Sequence, residues 1–169
     1  FSSLLEMSSG ENTSRMSGEK QWAGNRDALR EGSVRLLGYA NEVGESFRPL
    51  VPRQVVNASY AVAGSYVVAD AVWRSELPPP GRSGMVEALD TLLWQGLASV
   101  AIPGAVINRI VWAAGKLPTP VGASRAVLPT AVGLACIPFI VSPIDRGVDW
   151  FMDRCVRPML GGKDPGKVA

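Results

Sequence analysis

The sequence predicts an all-α membrane protein of about three transmembrane helices, two or more of them broken by proline, with flanking amphipathic helices. Three observations predict it. The middle of the chain holds three long apolar runs almost free of charge, each close to the roughly 20 residues needed to cross a bilayer. Those runs contain Pro103, Pro129, Pro138 and Pro143. Each proline would cost about 3 kcal/mol inside a soluble helix, whereas in a membrane neighbouring helices and local adjustments satisfy the freed carbonyls. Small residues also recur at four-residue spacing, from Ala61 to Ser65, Ala101 to Ala105 and Ala131 to Ala135, a pattern that lets helices approach closely in lipid.

The elements follow in order. Residues 1–22 are polar, Ser-rich and without periodicity, and read as a tail. The chain starts at Phe1 rather than Met, which is read either as a processed N-terminus or as a mere boundary. Leu29, Ser33, Leu36, Ala40, Val43, Phe47 and Leu50 repeat in steps of four and three. This spacing predicts one or two amphipathic helices over about 26–50, broken near Gly38 or Gly44, with those residues on one stripe. Arg35, Glu42, Glu45 and Arg48 lie off the stripe.

The spans are expected at about 54–73, 91–113 and 126–144. Two loops separate them, a Pro-Gly loop at 77–84 and another at 116–125. Trp73 and Trp94 lie near run ends, where interfacial aromatics belong. After Asp145-Arg146, residues 145–159 place Ile144, Val148, Phe151 or Met152, Cys155 and Met159 on one face. That predicts a second amphipathic helix, lying along the membrane surface. The expected organisation is thus the tail, one helical membrane domain over 23–160 and a C-terminal tail over 161–169.

Composition excludes much chemistry. The chain has no histidine, which removes imidazole acid–base catalysis, Ser-His and Cys-His pairs and His metal ligands. Its two cysteines have no metal-ligand spacing and read as packing residues. A net charge of +2, with basic residues dispersed among acidic ones, argues against a nucleic-acid partner. No catalytic constellation, cofactor motif or metal site is predicted, and the protein is expected not to be an enzyme.

The remaining polar residues are assigned to the membrane boundary. Arg48, Asp70, Arg74, Asn108, Arg109, Asp145 and Arg146 are expected at the interface. Asp70 and Arg74 stand four residues apart, so a helical ion pair is the simplest account of them. Arg154, Arg157 and Lys163 are candidate contacts to an anionic lipid such as cardiolipin. Pro103, Pro138 and Pro143 are expected to break their helices.

Four segments carry a resemblance: RLLGYANEVGESFRPLVP (35–52), SYVVADA (65–71), DTLLWQGLASVAIPGAVINR (90–109) and IPFIVSPIDRGVDWFMD (137–153). In order and spacing they resemble the mitochondrial fission process protein family, from about Arg26 to about Arg157. Where the family often has His before the proline of its PIDR motif, this chain has Ser142, so no role of that imidazole carries over. The resemblance implies a multi-pass, mostly helical protein of the inner mitochondrial membrane, without enzymatic activity and associated with fission and inner-membrane integrity. The chain is expected to be a structural accessory subunit of a respiratory-chain or ATP-synthase assembly. Its partners would be the bilayer and other inner-membrane subunits, with the polar tails as interface. The alternative is a free regulator of inner-membrane fission. A carrier or channel component, a third reading, rests only on Asp70 and the broken helices.

Overall fold

The computed structural model describes residues 37–79, 81–118 and 124–161, and among these every regular element is helical. A short helix α1 (Ala40–Ser46) precedes α2 (Arg53–Glu76). A turn follows, and then α3 (Gly84–Gln95), a π-helical segment (Gly96–Ala101) and α4 (Ile102–Ala114) run end to end. Helix α5 (Val127–Phe151) passes directly into a second π-helical segment, Met152–Val156. Three helical stretches are long and apolar enough to cross a membrane: Arg53–Glu76, Gly84–Ala114 and Val127–Val156. They cover the three expected runs.

Local sequence explains where these helices begin. Pro52 caps α2 in an extended conformation (φ −62°, ψ 152°), because a proline donates no hydrogen bond and fixes the φ that a helix start requires. Ser83 caps α3, its hydroxyl accepting from the Val86 N–H at 3.3 Å. Gly81 adopts φ +84° in the intervening turn, a conformation that favours glycine.

The prolines behave differently from expectation. Pro138 and Pro143 both lie inside α5, which continues through them. Each removes one backbone bond, yet its fixed φ is compatible with helix. Pro103 sits in the first turn of α4, immediately after the first π segment. Pro158 follows the second π segment by the same two residues. At Pro103 the widened preceding turn moves a carbonyl away from the proline ring and the helix continues, whereas the second π segment is the last of its helix, which ends at Val156 before Pro158. Asp145 and Arg146 consequently do not mark a helix end, and residues 145–156 extend the third span rather than forming a separate surface helix.

Packing brings α1 against α2, α4 and α5, with α2 also against α3 and α4 against α5. The orientation of α1 is the inverse of a helix packed in water. Val43, Phe47 and Leu50 face outward, 37–47% exposed, while Asn41, Glu42, Glu45 and Ser46 are buried at 0–2%. The buried edge of α2 is Val56, Ala63, Val67, Asp70 and Arg74, a seven-residue seam. Val55, Val62, Val68 and Val72 stay exposed. A helix whose outer surface is apolar and whose inner surface is polar suits lipid outside and hydrogen bonding inside. Cys136 is half-buried, but Cys155 is exposed. The buried edge at its level is Val148 and Met152, which leaves Cys155 off the packed face.

Glycines set the closest approaches. A Cβ on Gly44 would lie 1.9 Å from Ser59 Oγ of α2, and one on Gly133 of α5 would lie 2.8 Å from Ser46 Oγ of α1. Nothing lies within 4 Å of a Cβ on Gly64. Gly44→Ala and Gly133→Ala are therefore expected to destabilise the purified protein by about 1–3 kcal/mol through overpacking. Gly64→Ala should leave it unchanged or slightly more stable. Thermal unfolding of the three variants in one detergent checks this.

Candidate functional site, a buried polar core

The polar residues that α1 turns inward form the first part of a core between the spans. Glu45 is its node. Arg48 donates to both carboxylate oxygens at 2.6 Å, Tyr60 of α2 to one at 2.9 Å, and Asn108 of α4 to the other at 2.9 Å. Asn41 adds a second tie, donating to the Val100 carbonyl of the first π segment at 3.1 Å. Gly104 makes room for Tyr60, since a Cβ there would lie 2.4 Å from the tyrosine oxygen.

Glu42, three residues before Glu45, has the opposite surroundings. It is fully buried, and neither carboxylate oxygen has a hydrogen-bond partner. The Asn41 Oδ1 oxygen beside it is likewise without one. Burial raises the Glu42 carboxyl to about 7, its own backbone amide offsets part of that rise, and the Asp145 charge adds to it. Burial also pushes Glu45 upward, but the bonds from Arg48, Asn108 and Tyr60 outweigh it and hold that carboxyl below its ordinary value. Two glutamates on one short helix thus favour different protonation states.

A second group joins α2 to the helix that follows it. Asp70 and Arg74 are buried at 0% and 2%, with Arg74 Nε 3.0 Å from Asp70 Oδ1. Gln95 donates to Asp70 Oδ2 at 2.7 Å, and Ser99 donates to Gln95 Oε1 at 2.8 Å. Hydrogen bonding of this kind is what allows a buried ion pair to persist. The i,i+4 pair is as expected, but it points into the bundle. A third group brings α3 to the end of α5. Arg82 pairs with Glu87 at 3.0 Å, Arg157 with Asp90 at 3.0 Å and with Asp153, and Trp94 donates to Asp149 at 2.9 Å.

The other expected boundary residues divide between inside and outside. Arg48 is partly exposed and bound to Glu45, while Asn108 belongs to the core. Arg109 and Arg146 are exposed, and Asp145 is half-buried. Arg157 is drawn to the acidic residues of α3 and of its own helix rather than left free for a lipid headgroup. Arg154 is exposed, 5.7 Å from the Trp150 ring. Lys163 and both polar tails lie outside the described residues. An apolar groove of about 400 Å³, lined by Leu97, Ile102, Ile144, Gly147, Val148 and Phe151, opens beside the first π segment. No group of three or more metal-ligating side chains occurs among the described residues.

Sequence reading missed Glu42, Glu45, Tyr60 and Gln95. A usable signal existed: Gly38, Asn41, Glu42 and Glu45 repeat at helical spacing opposite Val43, Phe47 and Leu50. Read as small and polar residues facing neighbouring helices in a membrane, that stripe is the packed side.

The family model described as Mitochondrial 18 KDa protein matches residues 21–77, which include α1 and α2. A protein from Homo sapiens, "Mitochondrial fission process protein 1", is 49% identical over 146 residues, covering 79% of this chain and 88% of its own length. Proteins of the same name from Danio rerio and Caenorhabditis elegans are 46% and 43% identical, covering 79% and 78% of this chain and 88% and 87% of their own lengths. No solved structure matches the chain. None of these three names refers to a respiratory complex or ATP synthase, so the accessory-subunit expectation gains no support.

Removing the Glu45 carboxyl leaves Arg48, beyond the end of α1, Tyr60 of α2 and Asn108 of α4 without their acceptor. Glu45→Ala is expected to lower stability by about 2 kcal/mol or more, and Asp70→Ala, which strands Arg74 in the bundle, by about 3–5 kcal/mol. Arg109→Ala, at an exposed site, should change it by less than about 0.5 kcal/mol. Denaturation in mild detergent ranks the three.

Proposed function

The chain belongs to the mitochondrial fission process protein family, and on that premise we propose that it is a non-enzymatic regulator of fission in the inner mitochondrial membrane. The observation that carries this reading is the 49% identity to a fission process protein along 88% of that protein's length. The family and three helices able to span a bilayer make it a mitochondrial membrane protein. The inner membrane is our assignment within that.

The polar core supports a scaffolding role. Its acidic residues are arranged as hydrogen-bonded ties between helices, and apart from Glu42 they are engaged by donors on neighbouring elements. Such an arrangement fixes helix positions and offers no reacting pair beside a substrate cleft. The outward apolar faces of α1 and α2, and the groove beside the first π segment, supply surface for lipid or for the helices of a partner. Action would therefore run through membrane and protein contacts. Cardiolipin is a proposed partner, with Arg154 exposed among the described residues expected to meet it.

Depletion of the protein from cells tests the function. Mitochondrial tubules are expected to lengthen, wild-type protein should restore them, and Glu45→Ala at matched expression should not. Unchanged morphology after verified loss would refute the regulator reading. Protease digestion of intact mitochondria and of organelles stripped of their outer membrane tests the location: susceptibility before stripping points to the outer membrane. Stoichiometric co-migration with a respiratory or ATP-synthase band on native electrophoresis would instead favour the subunit reading.

A further inference from the structure

Glu42 is the buried group that the scaffold does not use. Its neighbours on the same face explain α1's position: Asn41 ties it to the first π segment, Glu45 to α2 and α4, and Ser46 packs on Gly133 of α5. Glu42 makes no hydrogen bond through its side chain and has 0% exposure. A charged carboxylate in that place would be isolated from water, with only its own backbone amide to favour it, a far costlier state than the neutral acid.

The surroundings favour the same answer. Asp145, on α5, and Tyr60, on α2, are the titratable groups on the packed helices that act on Glu42. Neither brings positive charge. Helix α4 presents the neutral amide Asn108, which is bound to Glu45, while Arg109 of that helix is exposed. On α1 itself Glu45 is ionised, and its charge is matched by Arg48 just beyond the helix end.

We propose that Glu42 is a proton-binding site that latches α1 into the bundle: with the proton bound α1 docks, and loss of the proton releases it. Docking raises the proton affinity of this carboxyl above that of an exposed glutamate. The docked state therefore holds the proton over a pH range in which the released state does not. Docking is fully favoured below about 4.5, weakens as pH rises, and has lost this contribution above about 7. Release would uncover Gly44, Ser46 and the faces of α2 and α5 that they cover. A site of this kind couples a local proton concentration to the surface shown to partners.

The test uses the full chain in lipid nanodiscs, with Cys136 and Cys155 replaced by alanine and spin labels on the exposed positions Val43 and Phe139. One narrow distance distribution is expected at pH 5.5, joined at pH 8.5 by a broad, longer population. Glu42→Gln, which keeps the shape of the neutral acid, should stay narrow at both. Backbone hydrogen exchange over residues 40–46 in the unlabelled protein gives an independent reading. The ratio of wild-type to Glu42→Gln exchange rates should be about tenfold or more higher at pH 8.5 than at pH 5.5. An unchanged wild-type distance across this range, or the same pH course in Glu42→Gln, would overturn the proposal. If Glu42→Gln does not fold, the wild-type pH series alone decides it.

Discussion

The architecture turns on one carboxylate. Glu45 collects hydrogen bonds from beside its own helix, from the first span and from the second, and α1 is too short to hold its place without them. A helix of seven residues has little stability in isolation. Its outward face is apolar, so water gives no reason for it to fold against the spans. What draws it in is polar pairing away from solvent, where an acceptor with donors from three elements has no equivalent alternative.

That pairing requires backbones to come close, and the glycines permit it. Gly44 meets Ser59, Gly133 meets Ser46, and Gly104 meets Tyr60. Side chains as short as serine can then lie at the crossing points. Small residues and polar ties depend on each other here: the first bring the helices within reach, and the second give a reason to stay. The two π segments serve the same packing from the other side. The first absorbs Pro103 without ending its helix, so the second span keeps its length; the second closes the third span at Val156.

Much of this was legible in the residues. Length and apolarity marked the three spans, and the Asp70–Arg74 spacing marked a helical pair. The motifs GYANEVGE and LASVAIPG marked the family. The direction of α1 was not legible by the same rule, because the periodicity of Val43, Phe47 and Leu50 is identical whether that face meets a core or a bilayer. Burial of apolar residues is a rule of aqueous solvent, and it reverses where lipid is outside. Arg157 was misread for a different reason. Its i,i+4 acidic neighbour was visible, but Asp90, sixty-seven positions away, becomes its partner only when the chain folds α3 beside the end of the third span. The prolines suggested broken helices because a sequence shows the missing N–H and not the helix that continues through Pro138 and Pro143.

The inverted face of α1 also bears on how the protein is made. A segment presenting Asn41, Glu42, Glu45 and Ser46 has no place of its own in a bilayer, since an acidic side chain at mid-depth costs a few kcal/mol even by lenient insertion scales. Its binding surface is assembled from α2, α4 and α5, which are all synthesised later. The first of the described helices must therefore wait for the last before it can seat. Biogenesis runs against chain order at this point, and α1 is the piece that completes the bundle.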